Sequence, residues 1–229
     1  PATDVAEATA AKAQDPAAEF LCGGPDLMVG VNLAAHRPTS VIGLRHVTEI
    51  QDLDSRRIGS GVTWSRLEAS EHTALAQAAR TVGSPQIRAA GTLGGNVGTA
   101  SPAGDGLPWI AAMDASIELA STARGRRVIP WNEFFTGVKR TAIEPDELIT
   151  GVVLPDEIPE VQQFAKIGPR NAMVISTVSC VVARTSSGFR VALGSVAPTP
   201  VRAFGAETMI NAESDPGPDA IAEFGRLVS

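Results

Sequence analysis

Short apolar runs alternate with Ala-rich amphipathic stretches along the first third of the chain. The runs of strand length lie at residues 20–22, 39–44 and 57–62. Helices are predicted at residues 5–13, 63–68 and 71–82, with Thr63 as the N-cap of the second. This alternation indicates an α/β arrangement.

The rest of the chain predicts a different organisation. Further elements are a helix at 107–113, a hairpin of strands 117–120 and 127–130, and a strand at 148–154. An acidic stretch with two prolines follows, and beyond it the predicted strands are 161–167, 174–183 and 189–196. Two helices are expected from about Val201 and Pro218, separated by a Gly/Pro/Asp loop. We therefore expect one domain at 1–157 and an α+β second domain at 158–229, which we expect to be incomplete.

Composition excludes several classes of function. The chain has 229 residues, 44% of them apolar, and a net charge of -6. No stripe of Lys and Arg is available to neutralise phosphates, so no nucleic-acid partner is expected. Two cysteines are too few for an iron–sulfur cluster or a disulfide framework. The apolar runs are too short to span a membrane, so the chain is not expected to be transmembrane, and we expect it in the cytoplasm.

The first candidate binding segment is 20–27, where an apolar strand runs into Gly23-Gly24-Pro25 and a helix start. Asp26 is predicted to cap a helix that begins at Leu27. Glycines permit close backbone approach, and successive N–H groups at such a turn can hold a pyrophosphate. An ordinary strand–turn–helix connection is the alternative.

The second candidate segment is 83–106, which contains seven glycines and little periodicity. An irregular stretch of this length is uncommon in a compact domain unless it is functional. Thr92, Asn96, Ser101 and Asp105 supply the donors and acceptors that ribityl, ribose and phosphate groups need. A surface Ω-loop is the alternative.

Other common site patterns are missing from the sequence. It contains no G-x-x-x-x-G-K-[ST] phosphate loop, no Rossmann glycine fingerprint and no G-x-S-x-G elbow. His36, His46 and His72 do not have ligand spacing. The basic pairs at 126–127 and 139–140 are typical of solvated surface positions.

Three blocks resemble the flavoprotein subunits of molybdenum hydroxylases, the family that includes the medium subunits of carbon monoxide dehydrogenase and bacterial xanthine dehydrogenase. They are Cys-Gly-Gly-Pro-Asp-Leu at 22–27, Val-Gly-Ser-Pro-Gln-Ile-Arg at 82–88 with Gly-Thr-Leu-Gly-Gly-Asn at 91–96 and Ser101 to Asp105, and Phe-Ala-Lys at 164–166 with GSVAPTPVR at 194–202. The resemblance implies an α+β fold. Its FAD-binding domain has two α/β subdomains of the vanillyl-alcohol-oxidase (PCMH) type, and a small domain with a three-stranded antiparallel sheet and helices follows.

The resemblance also implies which residues contact FAD. They are Leu21, Cys22, Gly23, Gly24, Pro25, Asp26, Leu27, Val82, Thr92, Gly95, Asn96, Ser101, Asp105, Ile149 and Lys166. Residues 20–27 correspond to the pyrophosphate loop, Ile149 to an aliphatic cover of the isoalloxazine ring, and Lys166 to a lysine near the flavin. The chain departs from the family in having Pro25 where Thr is usual and Cys22 where Ala is common.

The function that the resemblance implies is electron transfer. A large partner subunit would carry the molybdenum cofactor, and a small partner would carry [2Fe–2S] clusters. Electrons would pass through FAD in this chain to NAD, oxygen or a quinone, within a dimer of heterotrimers, and no catalytic acid or base is expected here. Two alternatives remain open, a stand-alone flavin reductase or oxidase and a non-catalytic assembly module.

Overall fold

A computed structural model describes residues 1–213 and 216–228 of the chain. Its α-helices are α1 (Val5–Gln14), α2 (Pro25–Asn32), α3 (Trp64–Leu67), α4 (Thr73–Thr81), α5 (Pro85–Ala90), α6 (Leu93–Thr99), α7 (Leu107–Ala112), α8 (Trp131–Phe134), α9 (Phe204–Asn211) and α10 (Pro218–Val228). Its strands are β1 (Glu19–Leu21), β2 (Val41–Gly43), β3 (Arg57–Gly59), β4 (Ser116–Ser121), β5 (Gly125–Pro130), β6 (Phe135–Gly137), β7 (Arg140–Thr141), β8 (Leu148–Val153), β9 (Val161–Ile167), β10 (Val178–Thr185), β11 (Gly188–Gly194) and β12 (Val201–Arg202).

The strands form two small and two larger sheets. The N-terminal pair β1–β2 is parallel, and the central sheet has the antiparallel order β3-β8-β4-β5. The C-terminal sheet has the antiparallel order β12-β11-β10-β9, and β6 and β7 form a short hairpin. Helices and sheets are mixed throughout, so the predicted α+β class is confirmed.

Helix α7 joins the central and C-terminal sheets into one core. Its residues are all buried, including Trp109 and Ile110, and the same cluster contains Ile117 of β4 and Val181 of β10. A smaller core packs α1 against β2 and the neighbouring end of β8, around Ile42. No helix in the described part of the chain is long and apolar enough to cross a membrane.

The glycine-rich stretch was wrongly predicted to be irregular, because it contains α5 and α6. Each helix has a side-chain N-cap: Ser84 Oγ accepts from the Ile87 N–H and Thr92 Oγ1 from the Gly95 N–H. Helix α6 contains glycines, but it is held in place because Leu93 and Val97 are buried. Local capping and burial therefore outweigh the low helix propensity of glycine.

The C-terminal prediction needs two corrections. Residue Val201 begins the short strand β12 rather than a helix, because it pairs with Leu193, and the helix begins only at Phe204. Strand β10 begins at Val178 rather than at 174. The three long antiparallel strands and α10 agree with the prediction, whereas part of the Gly/Pro/Asp loop, residues 214–215, lies outside the described residues.

Candidate functional site

The first glycine segment turns sharply from β1 into α2. Gly24 has a φ of 80° and is the N-cap of α2, with Pro25 as the first helical residue. A left-handed φ is costly for residues with a Cβ atom, which explains a glycine here. The prediction that Asp26 caps the helix is wrong, because Asp26 lies in the first turn and accepts a hydrogen bond from Thr99 Oγ1 at 3.2 Å.

Gly23 lies directly against the second glycine segment. A Cβ atom at this position would come within 1.6 Å of the Ala90 carbonyl oxygen, so no side chain fits there. Pro25 approaches the same place, since a Cβ at Gly91 would lie 3.6 Å from Pro25 Cγ. The two segments are therefore in backbone contact. We name residues 22–27 together with 91–99 the glycine cradle.

The turn into α2 leaves several backbone donors free. The N–H groups of Gly23, Gly24, Asp26 and Leu27 have no acceptor among the described residues. Pro25 has no N–H to offer, but it occupies the first helical position, where the N–H would find no partner within the helix. The cradle therefore keeps its remaining donors and the positive end of the α2 dipole despite the proline.

Thr92 connects the two halves of the cradle. It is buried, its hydroxyl accepts from the Gly95 N–H at 3.0 Å, and it hydrogen-bonds with the Cys22 thiol. Burial raises the pKa of the Cys22 thiol, and the bond to Thr92 opposes the rise only in part. Cys22 therefore stays protonated at neutral pH, and it adds no negative charge where an anion would bind.

Helix α6 also carries Asn96 and packs against Ile149. The Asn96 side-chain oxygen accepts from the Gly106 N–H at 3.2 Å, which fixes the loop that carries Asp105. Ile149 on β8 is buried, and its Cδ1 would lie 3.3 Å from a Cβ at Gly98. Ile149 is thus placed against Gly98 of α6.

Asp105 and Lys166 form a buried ion pair. Lys166 Nζ lies 2.6 Å from Asp105 Oδ2, and the two side chains are 7% and 6% exposed. The Asp105 carboxylate also accepts from Ser176 Oγ at 2.6 Å and from Thr81 Oγ1 at 3.3 Å. We name these residues, Thr81, Asp105, Lys166 and Ser176, the Asp105 cluster. Its charges are paired and its donors converge on one carboxylate, which a buried ion pair requires.

A cleft of about 800 Å³ opens beside Lys166. Its described lining contains the cationic side chains Arg80, Arg88, Lys166 and Arg170 and no carboxylate. Arg88 is paired with Glu68 at 2.5 Å and also donates to the Gly83 carbonyl at 3.1 Å. The cleft is therefore electropositive, although the chain as a whole is acidic.

The remaining candidate residues lie at the margins. Leu21 ends β1, and Leu27 is half-buried in the first turn of α2. Val82 is the C-cap of α4, and Ser101 follows the C-cap of α6. A separate cavity of about 460 Å³ beside α1 contains none of the candidates. No group of side chains suited to a metal ion occurs among the described residues.

The sequence analysis missed three contacts of the site. Ala90 supplies the carbonyl that Gly23 packs against, Thr99 binds Asp26, and Ser176 binds Asp105 across 71 residues. Ala90 directly precedes the glycine motif at 91–96, so its contact could have been predicted from the sequence. No local pattern predicts the contact of Ser176.

Comparison with known proteins gives a consistent result. A family profile described as the FAD binding domain in molybdopterin dehydrogenase matches residues 1–157. The xanthine dehydrogenase FAD-binding subunit of Escherichia coli O157:H7 is 32% identical over 223 residues, covering 90% of this chain and 76% of the relative. The nicotinate dehydrogenase FAD-subunit of Eubacterium barkeri is 35% identical over 69% of this chain and 58% of its own length.

A solved structure resembles the whole chain. Carbon monoxide dehydrogenase from Hydrogenophaga pseudoflava, in a form that lacks the Mo-pyranopterin moiety of its molybdenum cofactor, superimposes with a TM-score of 0.88. The similarity covers 99% of this chain and 83% of the other chain, at 27% identity.

Proposed function

This chain belongs to the family of FAD-binding domains of molybdopterin dehydrogenases, and from that premise we propose that it relays electrons from the iron–sulfur clusters of a partner subunit to an external acceptor. It is the FAD-binding subunit of an oxidoreductase in this family. The route of the electrons and the residues that hold FAD are the proposal.

The observation that carries the proposal is the glycine cradle. The N–H groups of Gly23, Gly24, Asp26 and Leu27 at the start of α2 have no acceptor among the described residues, and Gly23 itself packs against the backbone of Ala90 and Gly91. This arrangement fits a pyrophosphate, since its oxygens need donors and the helix dipole favours negative charge. The Ala90 carbonyl occupies the place where a side chain at residue 23 would lie. The fit of the pyrophosphate therefore depends on the backbone.

The other candidate residues would hold the remaining parts of FAD. We assign Asn96 and Ser101 to the sugar and ribityl hydroxyls, because an amide and a hydroxyl can both donate and accept hydrogen bonds. The Asn96 oxygen accepts from the Gly106 N–H, which leaves its amide N–H groups for a ligand. Ile149 would contact the isoalloxazine ring, and Lys166 would present its ammonium group near that ring. Val82, Thr92 and Gly95 would line the same part of the FAD site.

FAD supplies the redox chemistry when it is bound, so the chain has to bind it, orient it and set its electrostatic environment. The glycine cradle would bind the pyrophosphate of FAD. The buried Ile149 would exclude water from its side of the site. The Asp105 cluster holds a paired positive charge at a fixed position. No proton transfer by a side chain is needed for this role.

The proposed partners are a large subunit with the molybdenum cofactor and a small subunit with [2Fe–2S] clusters, assembled as a dimer of heterotrimers. The acceptor would be NAD, oxygen or a quinone. Residues 1–157 would form the FAD-binding domain and 158–229 the beginning of a C-terminal flavoprotein domain.

The first test is an absorbance spectrum of the purified complex, with metal analysis of the same sample. We expect flavin bands together with stoichiometric Mo and Fe. Flavin without Mo or Fe would instead identify a stand-alone flavin reductase or oxidase. A protein that holds no flavin even after reconstitution with FAD would contradict both functions and favour an assembly module.

A further inference from the structure

Ser176 is a member of the Asp105 cluster that the resemblance does not account for. The residue is 6% exposed, and its hydroxyl donates to Asp105 Oδ1 at 2.6 Å. Lys166 uses the other oxygen, Oδ2, at the same distance. The carboxylate is thus held at both oxygens by donors from different segments, so its orientation is fixed by two bonds at once.

Ser176 also ends the segment that forms one wall of the cleft. The cleft is lined by Ile167 at the end of β9 and by residues 168–174 of the connection to β10, apart from Pro169. The Thr177 N–H donates to the Ile167 carbonyl at 2.8 Å and closes the base of this connection. Ser176, next to that closure, is therefore the point at which the cleft wall is attached to Asp105.

We propose that Ser176 is a positioning residue that acts on FAD through Asp105 and Lys166. This inference rests on the proposed function, because it assumes that Lys166 lies near the flavin. The hydroxyl directs the positive end of its dipole at a buried carboxylate, which reduces the negative potential that Asp105 adds to the site. The Lys166 ammonium therefore remains a stronger positive charge toward the cleft.

The direction of the effect follows from the charge that flavin gains on reduction. A Ser176→Ala change leaves Asp105 Oδ1 without this donor, so the carboxylate offsets the Lys166 charge more strongly. Reduced FAD then becomes less stable relative to oxidised FAD. We expect a change of up to roughly tenfold in this ratio, which corresponds to about 30 mV for a two-electron couple.

The test is the midpoint potential of the flavin in holoenzymes that carry Ser176→Ala, Ser176→Thr or Ser179→Ala. The threonine variant keeps the hydroxyl. Ser179 is the matched control, since it is a buried serine three residues away whose hydroxyl has no partner in the described part of the chain. The melting temperature of each variant is measured in parallel to separate positioning from loss of fold.

We expect Ser176→Ala to lower the midpoint potential, and Ser176→Thr and Ser179→Ala to keep the wild-type value. Loss of FAD from Ser176→Ala alone, with Ser176→Thr still loaded and the fold intact, would also support the proposal. An unchanged potential in Ser176→Ala, or an equal shift in Ser179→Ala, would overturn it. Absence of flavin from the wild-type holoenzyme would instead contradict the proposed function.

Discussion

The glycine cradle and the Asp105 cluster differ in which atoms they offer to a ligand. The cradle is built from backbone: its N–H groups have no acceptor in the described part of the chain, and Gly23 leaves no room for a Cβ atom. The Asp105 cluster is built from side chains that meet on one buried carboxylate. A backbone site tolerates changed side chains, such as Pro25, but not added atoms. A side-chain site has the reverse sensitivity, because removing one partner leaves another unpaired.

The largest expected effect is that of Lys166→Met. It would leave the buried Asp105 charge unpaired and lower the free energy of unfolding by about 3–5 kcal/mol, measured by urea denaturation. Arg56→Met breaks the exposed pair with Asp156 and should lower it by less than about 1 kcal/mol. Equal losses in the two variants would show that the Asp105 cluster behaves as a surface pair.

A second variant tests the origin of that loss. Combining Asp105→Leu with Lys166→Met removes both charges, so much of the stability should return, because apolar replacements of a buried pair are often neutral. The double variant should nevertheless alter the flavin potential, since the positive charge is gone. A double variant as unstable as Lys166→Met alone would assign the loss to packing instead of charge.

Gly23→Ala tests the backbone site. The added Cβ would lie 1.6 Å from the Ala90 oxygen, so the two halves of the glycine cradle must separate. We expect a loss of about 3 kcal/mol or more in stability, together with loss of FAD binding. Gly205→Ala on α9 is the control, because a Cβ there meets nothing within 4 Å, and it should keep both properties. Wild-type FAD affinity in Gly23→Ala would refute the cradle assignment.

Local patterns in the sequence predicted the parts of the fold that depend on neighbouring residues. Thr63 caps α3 as expected, the hairpin of β4 and β5 forms around its predicted turn, and three long strands build the C-terminal sheet. Each of these depends on periodicity, capping or turn residues within a few positions. Such signals lie in a short window and can be identified without tertiary contacts.

The missed features depend on contacts between distant residues. Helix α6 is rich in glycine, so its propensity argues against a helix, but burial of Leu93 and Val97 stabilises it. The strand β12 exists because Val201 meets Leu193. Ser176 contacts Asp105 across 71 residues of sequence. The resemblance predicted Asp105 and Lys166 as contacts of FAD, but it did not include Ser176.

Thr92→Val tests the residue that connects the two halves of the glycine cradle. The change keeps the shape but removes the hydroxyl that caps α6, so stability should fall by about 1 kcal/mol. Asp4→Ala removes the cap of α1, outside the cradle, and should cost about as much. FAD affinity should fall about fivefold in Thr92→Val alone. An equal loss of affinity in Asp4→Ala would mean that general stability controls FAD binding.

Pro25→Ala has the smallest expected effect and gives the sharpest test of the backbone argument. Pro25 is the first residue of α2, where its ring favours the helical φ and its missing N–H would have no helical partner. Stability should fall by no more than about 1 kcal/mol, since alanine adds freedom to the unfolded chain. FAD affinity, measured by titration of the flavin-free protein, should stay within about twofold, because the neighbouring N–H groups are unchanged. A tenfold gain in affinity would instead mean that the proline had removed a donor that the pyrophosphate uses. The cradle would then depend on the individual residue at position 25, in the same way that the Asp105 cluster depends on its side chains.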